Sequence, residues 1–282
     1  MEQSSAHLPK LNGRIIVVSG AGGGGIGTAV TRMAAQAGAT VIAADHSEKS
    51  LETHIAPMVS QGLSIIPVVA DILSEDGVGT VMDRARAAPG NFYGLVTVIG
   101  GAPPPTWGPA HRLSREHWRA QLSLNLDSMF FMMQGAAAEL KALRRPGSLI
   151  AISSINGLTS SPFNVGYGAG KAAIQSVVQT MALELALDGI RVNAVAPGPT
   201  DTPTASLADD PERNRRGIPM GRHGQVDEIA GPVLFLLSDW SSYMTGQCLI
   251  VDGGCNIKWC HLTEENVPMF LKPSSVLEAI KR

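Results

Sequence analysis

Short runs of apolar, largely β-branched residues alternate along this chain with longer segments in which apolar residues recur every three or four positions. The short runs predict strands at 14–19, 40–45, 64–70, 95–99, 148–153 and 191–196, and the longer segments predict helices at 26–37, 76–88, 114–143 and 167–187. Strands that are apolar throughout belong in a parallel sheet covered on both faces. With right-handed crossovers, the pattern predicts a single doubly wound, Rossmann-like α/β sheet with helices on both faces.

The composition excludes several functional classes. Of the 282 residues, 44% are apolar and 16% are charged, and the formal net charge is -2. A near-neutral chain without basic clusters is not expected to bind nucleic acid, and the apolar content excludes a disordered chain. Because no composition break interrupts the pattern, we predict one domain over residues 1–256, followed by a C-terminal tail at 257–282.

The same composition bears on compartment and metals. No apolar stretch approaches the roughly 18 residues of a membrane span, and residues 1–12 carry no apolar signal run, so no membrane association is expected. Three cysteines imply no disulfide framework, which favours a reducing, cytoplasmic setting. Cys255, Cys260 and His261 lack a fourth partner, and we therefore predict no metal site.

Six glycines fall within residues 20–27, between the first predicted strand and the first predicted helix. Glycine permits positive φ and lets backbone N–H groups approach a pyrophosphate at a helix N-terminus. The G-x-G-x-x-G pattern fits twice, beginning at Gly20 and at Gly22, and so glycine-rich a run matches many templates. Its position predicts a turn that binds the phosphates of a dinucleotide, with a merely flexible turn as the alternative.

Asp45 closes the second predicted strand, 20 residues after Gly25. An acidic side chain at this position accepts hydrogen bonds from the ribose hydroxyls of an adenosine. It also repels a 2′-phosphate, and no Arg or Lys in the glycine turn or directly after Asp45 offsets that repulsion. The pattern favours NAD over NADP, with an ordinary turn or helix-cap aspartate as the alternative.

Tyr167 and Lys171 lie four residues apart on a predicted helix and project from one face. An ordinary tyrosine titrates near 10, but a neighbouring ammonium stabilises the phenolate and suits it to acid/base chemistry. Ser153 and Ser154 end the preceding strand, at the edge of a parallel sheet that faces its ligand. If each feature is considered alone, the simpler interpretation is structural: Tyr167 and Lys171 as a surface pair, and Ser153 and Ser154 as part of a turn.

In their order and spacing, these residues resemble the short-chain dehydrogenase/reductase family over approximately residues 10–256. The motifs that carry the resemblance are residues 19–27, Asp45, Asp71-Ile72, Asn125, Ser154, residues 167–171, residues 193–202, residues 245–247 and residues 251–254. The resemblance implies one dinucleotide-binding domain that assembles as a homotetramer. It also implies NAD as cofactor and a small alcohol or carbonyl substrate, with hydride passing between a secondary alcohol or ketone and the nicotinamide.

The resemblance also implies roles for individual residues. Tyr167 is the expected acid/base and Lys171 is expected to lower its pKa and hold the nicotinamide ribose. Ser154 would orient the substrate oxygen, and Asn125 would support a water-linked proton relay to Lys171. The implied cofactor contacts are Gly20, Gly24, Ile26, Asp45, Asp71, Ile72, Gly100, Tyr167, Lys171, Pro197, Thr200 and Thr202. Within that set Asp71 resembles an adenine contact, and residues 197–202 resemble the stretch beside the nicotinamide carboxamide.

The chain departs from the family pattern in three places. The glycine turn is one residue longer than the family's G-x-x-x-G-x-G, which predicts a bulge and leaves its phosphate contacts open. Thr97-Val98-Ile99-Gly100 stands where the family has Asn-Asn-Ala-Gly, and the lost side-chain hydrogen bonds are expected to loosen the adenine side of the site. The tail beyond Asn256 is longer than usual, with a short helix expected at 274–281 and a subunit interface as one possible role.

Other functions fit the same pattern less well. The altered turn suits a non-catalytic dinucleotide sensor or interaction protein, but such a binder has no need of Ser154, Tyr167, Lys171 and Asn125 together. A nucleotide-sugar epimerase or dehydratase shares the Tyr–Lys pair but usually adds a sizeable substrate domain, which 282 residues hardly permit. Segment 198–221 is polar and weakly periodic and is expected to form a mobile lid. With the loop at 102–107, it would line an apolar substrate pocket.

Overall fold

The computed structural model describes residues 9–103, 106–203, 210–258 and 260–269. Its strands are β1 (Arg14–Ser19), β2 (Thr40–Asp45), β3 (Ile65–Val69), β4 (Asn91–Thr97), β5 (Gly147–Ile152), β6 (Ile190–Pro197) and β7 (Cys248–Val251). They form one seven-stranded sheet in the order β3-β2-β1-β4-β5-β6-β7, and every neighbouring pair is parallel.

Helices cover the sheet on both faces. They are α1 (Ile26–Gln36), α2 (Glu48–His54), α3 (Ala56–Ser60), α4 (Glu75–Ala87), α5 (Arg115–Leu122), α6 (Ser128–Leu143), α7 (Val165–Leu185), α8 (Pro211–Gly217) and α9 (Val226–Leu237). Local sequence explains several of their starts. Ser47, Ser74 and Ser114 each accept a hydrogen bond from the backbone N–H three residues further on, which satisfies an otherwise unpaired donor in the first turn.

The central strand β1 shows how the core is divided. Ile15 and Val17 pack in a cluster with α4, α6 and α7, whereas Ile16 and Val18 pack on the opposite face with α1 and α9. Successive side chains of a strand point to opposite faces, so a strand covered on both sides must be apolar at every position. The prediction of a doubly wound α/β sheet is confirmed.

The strand order reverses beside β1, which has β2 on one side and β4 on the other. In an open parallel sheet the connections that leave from such a point go to opposite faces, and a crevice opens at the carboxyl ends of the strands. The glycine turn follows β1 directly. Asp45 is the last residue of β2, and Ser154 follows the end of β5.

Several predicted boundaries are wrong. The strand predicted at 95–99 spans Asn91–Thr97, because its first residues pair with β1, with Asn91 opposite Arg14. The helices predicted around 114–143 are α5 and α6, and a π-helical turn at Ser123–Asp127 joins them. No prediction covered α2, α3, α9 or β7, which are short or, like α9 with its internal Pro232, contain a helix breaker.

The segment predicted as a lid, 198–221, contains α8, which begins where Asp210 accepts hydrogen bonds from the N–H groups of Glu212 and Arg213. The tail packs beside it. Asn266 donates its side-chain N–H to the Pro219 carbonyl over 3.0 Å, and Glu264 forms an ion pair with Arg216 over 3.2 Å. The remainder of the lid, 204–209, and the helix expected at 274–281 lie outside the described residues. Within the described ranges no helix is long and apolar enough to cross a membrane.

Candidate active site

A cleft of about 560 Å³ opens at the carboxyl ends of the strands. Its lining residues are Gly20, Gly23, Gly25, Ile26, Gly27, Asp45, His46, Val98, Ile99, Gly100, Gly101, Leu124, Ile152, Ser153, Ser154, Tyr167, Lys171, Pro197, Gly198, Pro199, Thr200, Thr202 and His223. Most of the predicted site residues are among them. Four predicted residues, Gly24, Asp71, Ile72 and Asn125, are not part of the lining.

The glycine turn brings backbone rather than side chains to the cleft. A methyl group on Gly27 would lie 2.0 Å from the carbonyl oxygen of Gly20, so the first turn of α1 packs directly on the end of β1. Gly25 is the N-cap of α1 and brings no side chain to cap it, while the first N–H groups of a helix have no partners within it. These N–H groups and the helix dipole suit a diphosphate, so the turn fits a dinucleotide.

One side chain holds the middle of the glycine turn. Thr28 donates its hydroxyl to the Ala21 carbonyl over 2.6 Å and accepts the Gly24 N–H over 2.9 Å, which folds the turn back on α1. Gly24 has a φ of +70°, and a methyl group there would lie 2.9 Å from the His54 ring. Gly24 itself is not part of the cleft lining, and its contact with the cofactor stays a prediction.

Asp45 links the turn to the end of β2. It is 7% exposed, and its carboxylate accepts the Gly22 N–H over 2.9 Å and the Ser47 N–H over 3.1 Å. Each carboxylate oxygen has a second acceptor position, so both remain able to bind ribose hydroxyls. His46, which no prediction named, lines the cleft beside it, with its Nδ1 atom 3.3 Å from the Asp45 Oδ1 atom.

The predicted adenine contacts do not reach the cleft lining. Asp71 accepts the Leu73 N–H over 3.0 Å and shapes its own turn, and Ile72 is 3% exposed within the core. The replaced family motif also has a visible consequence, because the buried Thr97 hydroxyl has no hydrogen-bond partner among the described residues. Val98 and Ile99 present an apolar wall to the cleft instead of amides.

Ser154 and Tyr167 lie together where the cleft is formed by the end of β5 and the start of α7, which we call the chemical end of the cleft. Ser154 follows β5 and is 9% exposed, and Tyr167 lies in the first turn of α7. Burial raises the pKa of the Tyr167 hydroxyl above its ordinary value, and a hydrogen-bonding interaction with the Ser154 side chain opposes that rise. The neighbouring Ser153 is structural, because its hydroxyl donates to the Lys171 carbonyl over 2.9 Å and fastens α7 to β5.

Lys171 lies beneath Tyr167 and is 3% exposed. Its Nζ atom donates to the Ile152 carbonyl over 2.9 Å and lies 5.9 Å from the centre of the Tyr167 ring. Burial lowers the pKa of Lys171 from 10.5 to about 8. The Lys171 ammonium is directed at a backbone carbonyl, and its lowering of the Tyr167 pKa stays a prediction.

Asn125 is completely buried and lies behind the cleft wall. Its side-chain amide donates to the Gly101 carbonyl over 2.8 Å and accepts the Gly101 N–H over 2.9 Å. It also donates to the Gln121 carbonyl over 2.9 Å, within the π-helical turn that separates α5 from α6. A methyl group on Gly100 would lie 2.6 Å from Lys171 Nζ and 2.8 Å from Asn125 Oδ1, so Asn125 and Lys171 approach each other across a glycine.

Gln121 is a positioning residue that no prediction named. It is 1% exposed, and its Nε2 atom donates to the Thr106 carbonyl over 3.1 Å and to the Asn164 Oδ1 atom over 2.9 Å. One amide thus ties the loop after β4 to the residue that precedes α7. The available sequence signal is its place four residues before Asn125, on the same helical face.

The chain belongs to the short-chain dehydrogenase/reductase family. A family model described as enoyl-(acyl carrier protein) reductase matches residues 20–256, most of the chain. The 3-oxoacyl-(acyl-carrier-protein) reductase FabG of Thermotoga maritima is 35% identical over 249 residues, which cover 87% of this chain and 98% of that protein. A 3β-hydroxysteroid dehydrogenase of Eggerthella lenta is 33% identical over 252 residues, covering 88% of this chain and 95% of that protein.

Solved structures agree with this assignment. A short-chain type dehydrogenase/reductase from Mycobacterium ulcerans superposes with a TM-score of 0.81 at 28% identity, covering 96% of this chain and 98% of that one. A 3-oxoacyl-(acyl-carrier protein) reductase from Brucella melitensis, solved with bound NAD, gives a TM-score of 0.80 at 28% identity over 89% and 94% of the two chains. The chain is therefore an oxidoreductase of the family that acts on CH–OH and C=O groups.

Proposed function

We propose that this protein is an NAD-dependent dehydrogenase or reductase that interconverts a secondary alcohol and a ketone. The observation that carries the proposal is that Ser154, Tyr167 and Lys171 line the same cleft as the glycine turn and Asp45. A dinucleotide bound along that cleft would be held by the residues at the ends of β1 and β2. Ser154, Tyr167 and Lys171 would then be the residues beside its reactive ring.

The nicotinamide, when bound, supplies the acceptor or donor of the hydride. The residues of this chain bind the substrate oxygen and transfer its proton. In the reductive direction Tyr167 gives its hydroxyl proton to the carbonyl oxygen as that oxygen becomes an alcohol, and in the oxidative direction the phenolate takes the proton back. Ser154 holds the substrate oxygen by a hydrogen bond, and Lys171 places positive charge beneath the phenol. Asn125 is held in place by its hydrogen bonds with Gly101 and Gln121. From this position it supports the water-linked proton relay to Lys171.

Asp45 supports the choice of NAD. It occupies the end of β2 with a nearly buried carboxylate, and a 2′-phosphate would place a second negative group against it. Thermal shifts measured side by side test this preference, because a bound ligand stabilises the folded chain in proportion to the logarithm of its concentration over its dissociation constant. NAD is expected to raise the melting temperature more than NADP at equal concentration, and the reverse order would overturn the cofactor assignment.

Catalysis is tested by the absorbance of NADH on mixing the enzyme with a panel of alcohols and ketones. Turnover of at least one secondary alcohol or its ketone is expected. The alternative is a non-catalytic dinucleotide sensor on the same fold, which the lengthened glycine turn favours. A chain that binds NAD tightly but turns over no member of a panel spanning aliphatic, steroid, sugar and 3-oxoacyl substrates would support that alternative.

An apolar substrate suits the surroundings of the chemical end. Trp107 is 43% exposed in the loop after β4, where its indole N–H donates to the Ala102 carbonyl over 2.7 Å, and Phe163 is 65% exposed in the loop before α7. We also propose a cytoplasmic homotetramer. Large apolar side chains stand exposed on α6 and α7, with Phe131 47% and Leu183 82% exposed, and light scattering during gel filtration measures the assembly directly.

A further inference from the structure

A buried histidine lines the cleft outside all the motifs described above. His223 precedes α9 and is only 4% exposed, yet it forms part of the cleft wall. Its Nδ1 atom lies 2.8 Å from the Oδ1 atom of Asp201, a residue of the segment that follows β6. A buried imidazole beside a ligand cleft is costly unless its polar atoms have partners, so the second ring nitrogen requires an explanation.

The position of His223 is fixed by backbone pairing. The Gly224 N–H donates to the Pro199 carbonyl and the Asp201 N–H donates to the Gly224 carbonyl, each over 2.9 Å. The other carboxylate oxygen of Asp201 accepts the Gln225 side-chain N–H over 2.7 Å. The segment after β6 and the segment before α9 are therefore joined on both sides of the ring, which leaves the imidazole little freedom to turn.

Asp201 also determines which nitrogen of the neutral His223 ring carries the proton. The hydrogen bonds from His223 and Gln225 lower the pKa of Asp201, so its carboxylate is ionised near neutral pH and acts only as an acceptor. Nδ1 must then carry the proton, and Nε2 of the neutral ring is an acceptor. No other described side chain forms a hydrogen bond with this ring, and Nε2 is absent from the fully buried polar atoms that lack a partner.

The wall that holds His223 runs between the two ends of the cleft. It begins at Pro197, where β6 lies beside β5 and its Ser154, and it ends at the glycine turn, where a methyl group on Gly25 would lie 3.4 Å from Thr202. His223 is attached to the middle of that wall, through Pro199 and Asp201. Asp45, at the adenosine end, lies on the other side of the glycine turn, at the end of β2.

We propose that Nε2 of His223 faces the cleft and accepts a hydrogen bond from the nicotinamide-riboside half of the bound dinucleotide. The donor is either the carboxamide N–H or a ribose O–H of that half. Asp201 acts as the positioning residue, since it holds the ring in the accepting tautomer. This inference rests on the proposed function, because it requires that a dinucleotide binds with its adenosine at Asp45.

Two substitutions separate this role from a structural one. In His223→Asn the short amide replaces Nδ1 and keeps the bond to Asp201, but nothing reaches the position of Nε2. In His223→Gln the longer amide reaches the position of Nε2 and loses the bond to Asp201. If Nε2 binds the ligand, His223→Gln should bind NAD more tightly than His223→Asn, whereas a ring that serves only to hold Asp201 predicts the opposite order.

The experiment is calorimetric titration of the full chain with NAD, ADP-ribose and AMP. For His223→Asn we expect NAD binding to weaken roughly three- to tenfold, the range of one neutral hydrogen bond, while AMP binding stays unchanged. Loss with NAD alone would identify the carboxamide as the donor, and loss with ADP-ribose as well would identify the ribose. His46→Asn at the adenosine end is the matched control, since any change there should affect AMP and NAD alike.

Three results would overturn the inference. The first is NAD affinity unchanged in His223→Asn, and the second is an equal loss of affinity for AMP and NAD. The third is unfolding, or a clearly lowered melting temperature, of the unliganded His223→Asn variant, which would assign a structural role. A wild-type chain that binds neither NAD nor NADP would instead overturn the proposed function, and this inference with it.

Discussion

The two sides of the cleft are built by different means. The dinucleotide side, residues 20–27 with Asp45, presents backbone atoms and one carboxylate, and its contacts are made between a strand end and the helix that follows it. The substrate side, residues 101–103, 106–109 and 153–164 among those described, consists of loops from distant parts of the chain. These loops are held together by side chains such as Gln121, which joins Thr106 to Asn164.

The difference explains where each side tolerates change. On the dinucleotide side a single added methyl group meets backbone that cannot move, as between Gly27 and Gly20. On the substrate side, other side chains can form the hydrogen bonds that connect the loops, and the sheet is not disturbed. This separation lets members of one fold keep a cofactor site while their substrates differ, as the names of the acyl-carrier and steroid relatives illustrate.

The largest expected effect is at Tyr167, where the two sides meet. Tyr167→Phe keeps the ring but removes the proton donor, so turnover should fall by about 10² to 10⁴. NAD affinity should fall by no more than about tenfold, because the phenol hydroxyl makes at most one hydrogen bond to the cofactor. Steady-state kinetics and calorimetry measure both. Wild-type turnover in this variant would contradict the role assigned to Tyr167.

The dinucleotide side is challenged by Gly27→Ala. The added methyl group would lie 2.0 Å from the Gly20 carbonyl oxygen, so the free energy of unfolding should fall by about 1–3 kcal/mol or more. Gly23→Ala is the matched control, because a methyl group there meets no heavy atom within 4 Å. Urea denaturation of both variants gives the comparison. Equal stabilities would show that the turn adapts more easily than its geometry indicates.

Lys171 is buried beside the cleft, so its titration allows a pH-dependent test of the structure. Burial lowers its pKa from 10.5 to about 8, so between these values the unfolded chain retains a proton that the folded chain has released. The free energy of unfolding should therefore rise with pH through this window, by up to about 1.4 kcal/mol per unit. Lys171→Met lacks this contribution. Its stability relative to wild type, measured by urea denaturation at pH 7.5, 8.5 and 9.5, should fall steadily, and a constant difference would refute the burial argument.

The substrate side is challenged by Gln121→Leu, which keeps the volume but removes the amide. Thr106 and Asn164 lose their shared donor, and we expect the KM for substrate to rise roughly three- to tenfold, in line with one or two lost hydrogen bonds. The affinity for NAD should not change. Gln175→Leu is the control, since that amide makes one contact of 3.5 Å. A loss of NAD affinity equal to the rise in KM would contradict the separation of the two sides.

The smallest expected effect comes from removing the tail after Lys258. Its contacts with the lid segment include an exposed ion pair between Glu264 and Arg216 and the hydrogen bond from Asn266, and exposed ion pairs contribute little to stability because water screens them. The KM for substrate should change by about five-fold at most, with the dissociation constant of NAD unaltered. A loss of folding on truncation would contradict the prediction of an independent domain over residues 1–256.

How far the sequence led is clear from particular residues. It predicted the parallel sheet, because residues such as Ile15 to Val18 are apolar on both faces of their strand, and it brought Asp45, Ser154, Tyr167 and Lys171 to one cleft. It did not predict that the Thr28 hydroxyl forms hydrogen bonds with both Ala21 and Gly24 and so holds the glycine turn. It missed Gln121 and His223, whose partners lie 43 and 22 positions away.

The sequence by itself determined the fold class and the elements that carry the chemistry, because hydrophobic period, glycine and helical spacing act over a few neighbouring residues. Only the tertiary structure decided which side chains face the cleft. It turned the Lys171 ammonium towards the Ile152 carbonyl, left Asp71 and Ile72 outside the lining, and placed His223 opposite Asp201. These outcomes depend on contacts between distant segments and on the burial that follows from them, and neither can be predicted from a short segment of the sequence.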